Sequence, residues 1–179
     1  MLSVAETALR PAREEDMPQI LRLFSGAVKR MRENGIEQWD EIYPNVNDFS
    51  LDVQRGEMYL LEADGAIAAA VVLNEDQPPE YAAVPWIFRG EPAAVVHRLC
   101  VAAESQGRKL GIRTLLLSEK LLKARGYRCI RLDAFPQNPV AMRLYPSCGY
   151  RLAGQVSFRK GVFNCYEKNL WPERNGAVR

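Results

Sequence analysis

The chain has 179 residues, 47% apolar and 26% charged, which fits one globular domain with a sizeable core and excludes disordered, collagenous and coiled-coil chains. Its 24 Lys and Arg against 22 Asp and Glu leave a net charge of +2, too even to point to a nucleic acid or membrane surface as partner. The longest apolar stretch, 66–73, falls far short of the ~18 residues of a membrane span, and no basic region followed by a long apolar run suggests a signal peptide.

A first strand is expected around 4–10. A long helix follows, with Asp16 near its start, Pro18 in the first turn, where proline is tolerated, and Gly35 as its stop. Met17, Ile20, Leu21, Phe24, Val28 and Met31 follow three-to-four spacing and predict one buried stripe. A short helix is expected near 48–54. The β-capable runs 58–63 and 66–73 are joined by Asp64 and Gly65, a strong hairpin signal. The connection 74–92 carries Pro78, Pro79, Pro85 and Pro92, and loops of that length are usually functional or mobile. Its Tyr81, Trp86 and Phe88 suit a lid or a subunit contact.

The second half alternates more regularly. A strand over 94–101 leads to a helix over 107–125, with Leu110, Thr114, Leu115, Leu117, Leu121 and Leu122 on its apolar face and Gly126 as its stop. A strand over 127–135 and a short helix over 139–148, ended by Gly149, come next. Strands over 150–158 and 162–169 close the chain as a hairpin around Arg159, Lys160 and Gly161. The strand–helix–strand unit 94–135 is expected to be a right-handed crossover joining parallel strands. With antiparallel hairpins on either side, the expected fold class is α/β (α+β): one domain over 1–179, its mixed, mainly antiparallel sheet flanked by helices.

Cys100, Cys129, Cys148 and Cys165 are widely spaced with no C-x-x-C pair, and His97 is the only histidine. Small core residues, no metal site and a reducing, cytoplasmic compartment are the expectation.

The chemistry concentrates at 101–114. A strand ends, a polar stretch follows, and a helix begins within Gln106-Gly107-Arg108-Lys109-Leu110-Gly111. Unpaired N–H groups and the positive dipole end at a helix start suit a phosphate or pyrophosphate, and glycine lets backbone come close to it. Arg108, Lys109 and Arg113 add cationic charge that the dipole alone disfavours and an anionic ligand would resolve. Neither G-x-x-x-x-G-K-[ST] nor G-x-G-x-x-G is present, which argues against a P-loop or dinucleotide enzyme.

His97-Arg98-Leu99-Cys100-Val101 followed by Gln106-x-x-Lys109-x-Gly111 resembles the acetyl-CoA motif of the GNAT superfamily of N-acetyltransferases, [RQ]-x-x-G-x-[GA], with Lys109 where that pattern prefers glycine. Asn138, Ala141 and Tyr145, followed by Gly149-Tyr150, are similar in type and spacing to the family's Asn-x-x-A-x-x-[LF]-Y helix and G-[FY] sequence. Asn138 and Tyr145 stand two helical turns apart on one face, with a small residue between them that lets an extended ligand arm run close.

The resemblance implies a central β-α-β acetyl-CoA-binding unit and acetyl transfer to a primary amine by direct attack in a ternary complex. It implies that Gln106, Gly107, Arg108, Lys109, Leu110, Gly111 and Ile112 surround the pyrophosphate. The acetyl-CoA arm would lie in a splay between the strands 94–101 and 127–135, paired with Leu99, Cys100 and Val101, and near Asn138 and Ala141. Tyr145 would protonate the leaving thiolate. His97 is a candidate general base if no bulge intervenes before Leu99; glutamates or a water chain are the alternatives. Cys100 as a nucleophile has no assignable partner beyond His97.

Trp39 and Asp40 are candidate acceptor residues, Trp39 to stack on a cationic amine and Asp40, with Glu37 and Glu41, to attract it. Solvated loop charge is the plainer reading of those acids. The expected acceptor is a small-molecule or peptide amine, with no metal, nucleic acid or membrane partner, and the resemblance allows a homodimer, which is common in the family. The rival reading is a non-catalytic acyl-CoA-binding sensor of the same fold.

Overall fold

Seven strands form one sheet in the order β1-β2-β3-β4-β5-β7-β6 in this computed structural model, which describes residues 8–89 and 92–171. The strands are β1 (Arg10–Pro11), β2 (Met58–Ala63), β3 (Ala66–Asn74), β4 (Ala93–Val101), β5 (Cys129–Ala134), β6 (Arg151–Phe158) and β7 (Gly161–Asn169). The helices are α1 (Met17–Glu33), α2 (Val46–Gln54), α3 (Leu110–Ala124) and α4 (Pro139–Ser147). Only β4 and β5 run parallel; the other strand pairs are antiparallel. The expected α/β fold with a mixed, mainly antiparallel sheet is therefore what the chain adopts. Most of the strand expected at 4–10 lies outside the described residues, and β1 holds only Arg10 and Pro11.

Local chemistry explains most element boundaries. Asp64 and Gly65 take φ of 53° and 78°, the paired positive values a two-residue hairpin turn needs. In α1 the buried residues are Ile20, Leu23, Phe24 and Ala27, whereas Leu21 is exposed. At 100° per residue the stripe through Ile20 and Phe24 includes Leu23 and Ala27 and leaves Leu21 at its edge. The helix expected from 107 begins at Leu110, because Gly107 (φ 81°) and Lys109 (φ 60°) are left-handed and cannot join a right-handed helix.

The sheet has two apolar faces. On one, Met58, Leu60, Ala70, Val72 and Cys100 pack against Ile20, Phe24, Phe49 and Val53 of α1 and α2. On the other, Val71, Leu73, Val96, Ile130 and Leu132 pack against Leu115 and Leu122 of α3 and Tyr145 of α4. Among the described residues no helix is long and apolar enough to cross a membrane.

The connection between β3 and β4 is part of the core rather than a lid. Tyr81, Val84 and Trp86 are buried with Val95, Phe135, Val156, Phe163 and Cys165. Beneath it Glu167, fully buried on β7, accepts hydrogen bonds from the Ile87 amide (2.9 Å) and from Arg151 (3.0 Å). Arg131, across the ladder from Glu167, donates to Gln77 Oε1 (2.7 Å) and the Phe88 carbonyl (3.0 Å) and lies over the Trp86 ring at 4.7 Å. The sheet thus holds the connection through the Glu167 carboxylate and the Arg131 guanidinium.

Removing a buried charge leaves its partners desolvated and uncompensated. Glu167→Ala is expected to cost about 3–5 kcal/mol by urea or thermal denaturation. Arg151→Ala, which leaves the fully buried Glu167 carboxylate without its hydrogen-bonded cation, should approach the same range.

Candidate active site

The sheet opens where β4 and β5 stop pairing. They are in register only at Ala93/Cys129, Ala94/Ile130 and Val95/Arg131, although β4 continues to Val101 and β5 to Ala134. Beyond Val95 the β4 edge facing β5 has no strand partner, so its backbone groups must be satisfied by something else. On the other edge β4 stays paired with β3, but with a bulge: Val72 faces His97 whereas Ala70 faces Cys100, and Arg98 has φ 52°. The bulge breaks the two-residue alternation. His97 shares the face of Val72 and Cys100, and Leu99 packs on the opposite face with the Tyr145 cluster.

A cavity of about 560 Å³ lies at this opening, with Trp39, Tyr43, His97, Leu99, Asp133 and Tyr145 in its wall. Tyr145 reaches it from the α3/α4 face, with its ring 5.8 Å from Tyr150 and 5.9 Å from Tyr166. Burial raises the Tyr145 pKa further above its ordinary value, so the phenol stays protonated. Asp133 projects from the other face, level with Cys165 on β7. Its Oδ2 accepts the Tyr81 hydroxyl at 2.8 Å; burial raises its pKa and this hydrogen bond partly opposes the rise. Two faces of one sheet meet here only because the strands between them part.

His97 Nε2 lies 3.0 Å from the Asp76 carbonyl, which can only accept, so Nε2 carries the proton and Nδ1 the free lone pair. Burial, with Arg98 adding to it, pushes the imidazole pKa down to about 4. Trp39 packs on Phe24 at 5.6 Å. Asp40 does not line the cavity; Arg159 (2.9 and 2.8 Å) and Lys160 (3.0 Å) hold both of its carboxylate oxygens. Those pairs tie the loop of Trp39 to the β6–β7 turn, and Glu41 is likewise engaged, by Arg32 at 2.7 Å.

At the far end of the opening, Lys109 is the N-cap of α3 in the left-handed conformation (φ 60°, ψ 20°) and provides no side-chain cap. The first turn of α3 has no acidic residue. Its leading N–H groups are therefore available to an anion. Gln106 donates to the Val101 carbonyl at 3.4 Å, and Arg108 pairs with Asp64 at 2.7 Å. A Cβ on Gly111 would touch Val101 and Leu144 at 3.7 and 3.8 Å, so this turn sits tightly between β4 and α4. Leu110 is buried, and Ile112 is exposed.

Asn138 caps α4: its Oδ1 accepts the Val140 and Ala141 amides, each at 3.2 Å, and its Nδ2 donates to Gln38 at 3.1 Å. Ala141 is half-buried against the Tyr145 cluster. Cys100 is directed into the α1/α2 core, where burial drives its thiol pKa up and leaves it no nucleophilic character.

Two features escaped sequence reading. Arg98 and Asp52 of α2 form a buried ion pair on the cavity wall, one guanidinium nitrogen lying 2.9 and 2.7 Å from the two carboxylate oxygens. Arg98 also lies over the Tyr43 ring at 5.1 Å, while its Nε has no hydrogen bond. Burial pushes the Asp52 carboxyl up to about 6 even with Arg98 beside it. The Tyr81–Asp133 hydrogen bond is the second feature, whereas the bulge at Arg98 is the condition that the reading of His97 had named. Among the described residues no cluster of three or more His, Cys, Asp and Glu suits a metal.

The sequence model of the acetyltransferase (GNAT) family matches residues 18–150. No curated protein matches. Among solved structures, a GNAT-family acetyltransferase from Streptococcus agalactiae is similar with a TM-score of 0.83 and 24% identity, over 92% of this chain and 96% of that one. The PaiA N-acetyltransferase from Thermoplasma acidophilum, in complex with coenzyme A, has a TM-score of 0.68 and 20% identity over 90% of this chain and 97% of its own. The yncA protein of Salmonella typhimurium, solved with its cofactor acetyl-CoA, has a TM-score of 0.68 and 14% identity over 97% and 98%.

Two measurements check the wall of this site. Asp52→Ala leaves Arg98 buried and unpaired and is expected to lower stability by about 3–5 kcal/mol in urea melts. His97 titrates lower folded than unfolded, so its stabilising contribution is present above the unfolded pKa near 6.5 and is lost as pH falls towards about 4. Between those pH values the wild-type Tm should fall more steeply than that of His97→Gln.

Proposed function

The chain belongs to the acetyltransferase (GNAT) family, and on that premise we propose that it moves an acetyl group from acetyl-CoA to a primary amine by direct attack with both substrates bound. The observation that carries this reading is the parted β4–β5 ladder, with the uncapped start of α3 at one end and the Tyr145 cavity at the other. These residues suit a coenzyme with an anionic head and an amide-containing arm. Acetyl-CoA supplies the activated acetyl group.

Backbone amides over 107–112, with Arg108, Lys109 and the Gln106 turn, hold the diphosphate where dipole and cations act together. The free edge of β4 at Leu99, Cys100 and Val101 pairs with the arm as a missing strand would. A backbone N–H on that edge stabilises the negative charge that develops on the carbonyl oxygen, worth a few kcal/mol in such sites. Asn138 fixes the first turn of α4, and Ala141 leaves room beside it. Tyr145, kept protonated by burial, donates to the departing thiolate. Trp39 lines the acceptor end and offers a ring face to the amine.

Calorimetry and a thiol-release assay against primary amines test the reading. Coenzyme A should bind, and thiol release should depend on the amine. Tyr145→Phe should lower kcat more than about tenfold, with coenzyme affinity within about twofold. Tight coenzyme binding with no amine-dependent thiol release would instead identify a non-catalytic acyl-CoA-binding domain, and no binding at all would overturn both.

A further inference from the structure

Building on the proposed acetyl transfer, we propose that Asp133 is the catalytic base, accepting the proton from an alkylammonium acceptor bound in the cavity. Four carboxylates line that cavity: Asp48, Asp52, Asp76 and Asp133. Three are already engaged by a cation or a backbone amide. Asp48 accepts the Asn45 amide at 2.7 Å in the α2 cap, Asp52 faces Arg98, and Asp76 pairs with Arg55 at 3.3 Å. Asp133 alone meets only a neutral hydroxyl among the described residues, that of Tyr81.

The groups whose charge or dipole couples to Asp133 come from four directions. They are Tyr81 from the β3–β4 connection, Tyr145 from α4, Cys165 from β7 and Tyr43 from the segment before α2. All are neutral at pH 7, and burial raises the phenols and pushes Cys165 up to about 12. An ionised carboxylate in that setting lacks a counter-charge, and the ammonium of an acceptor supplies one. The aromatic wall of Trp39, Tyr43, Phe158 and Phe163 suits the same kind of ligand. Burial also brings the Asp133 pKa towards the range where a carboxylate is an effective proton acceptor.

His97 is the weaker candidate. Its Nε2–H is committed to the Asp76 carbonyl, and burial disfavours the imidazolium that accepting a proton would create. The step balances without a further reactant. The ammonium gives one proton to Asp133, and the freed lone pair forms the C–N bond to the acetyl carbon. The C–S bond breaks with its electron pair on sulfur, which takes the Tyr145 proton. The second proton of the acylated nitrogen restores the phenol, and Asp133 releases its proton to solvent.

The test compares wild type with Asp133→Asn on an alkylamine and on its β,β,β-trifluorinated analogue, which is largely neutral at pH 7. With the alkylamine, the variant should lose at least about a hundredfold in kcat/KM at pH 7. The loss should recover about tenfold per pH unit as free amine accumulates, while coenzyme A affinity stays unchanged. With the fluorinated amine the loss should stay below about tenfold. Asp133 must be ionised to act, so wild-type activity rises with pH through its pKa. Tyr81→Phe removes the hydrogen bond that lowers that pKa and should move the limb to higher pH.

Equal losses with both amines, or none with either, would overturn the role of Asp133 and leave the transfer reading intact. Failure of the wild type to bind coenzyme A or release thiol would overturn the transfer reading itself. If the Asn variant does not fold, Asp133→Glu decides: a displaced limb supports the role, and an unmoved limb overturns it.

Discussion

Backbone hydrogen bonding along β4 is the constraint on which the site depends. One edge of the strand is satisfied by β3 and the other, past Val95, is not satisfied by β5. Closing the ladder to Ala134 would remove the opening and bury the positions from which Tyr145 and Asp133 reach one space. The bulge at Arg98 belongs to the same solution. It lets β4 stay bonded to β3 while its side chains change face, so His97 and Cys100 point to one helical layer and Leu99 to the other. A left-handed arginine in a strand costs roughly 1–2 kcal/mol, and the Asp52 pair with the Tyr43 contact anchors the side chain that bears it.

The charges near the cavity form closed local accounts. Asp40 is matched by Arg159 and Lys160, Asp52 by Arg98, Asp76 by Arg55, and Glu167 by Arg151, with Arg131 across the ladder. Most of these pairs fasten a segment that regular secondary structure leaves loose: the stretch before α2, the β3–β4 connection, the β6–β7 turn. The cavity wall is thus stiffened by ion pairs whose partners are far apart in the chain. Against those pairs Asp133 stands out as the cavity carboxylate that meets only a neutral hydroxyl among the described residues.

How much of this was legible in the sequence follows from the range of each interaction. The Asp64-Gly65 hairpin, the glycine turn before α3, and the Asn138 cap are local, and their residues announce them within a few positions. The first- and second-half alternation of strands and helices was likewise readable, hence the fold. Asp133 was not, because its significance rests on Tyr81, distant in sequence, and on where β4 stops pairing with β5. Asp40 was misleading for the converse reason: the turn residues Arg159 and Lys160 that neutralise it lie in another hairpin. The burial of Tyr81 and Trp86 over charged groups of the sheet also depends on long-range register, since Glu167 is placed under the connection by β7.

Lys109 shows how a departure from a familiar pattern can still keep its geometry. The position has the left-handed backbone that glycine adopts freely, so the turn is preserved at the expense of roughly 1–2 kcal/mol of local strain. Together with Arg108 and Arg113 it also concentrates positive charge at the positive end of the α3 dipole, which by itself destabilises the helix start. Arg108 is relieved by Asp64 of the β2–β3 hairpin, while the first turn of α3 has no acidic residue and no side-chain cap. Strain and repulsion in one turn have a common resolution in a bound polyanion. On the proposed reading, such a ligand would satisfy the amides, offset the cations and favour the backbone conformation that lysine resists. A glycine at this position would relax the strain and remove one of those cations from the start of the helix.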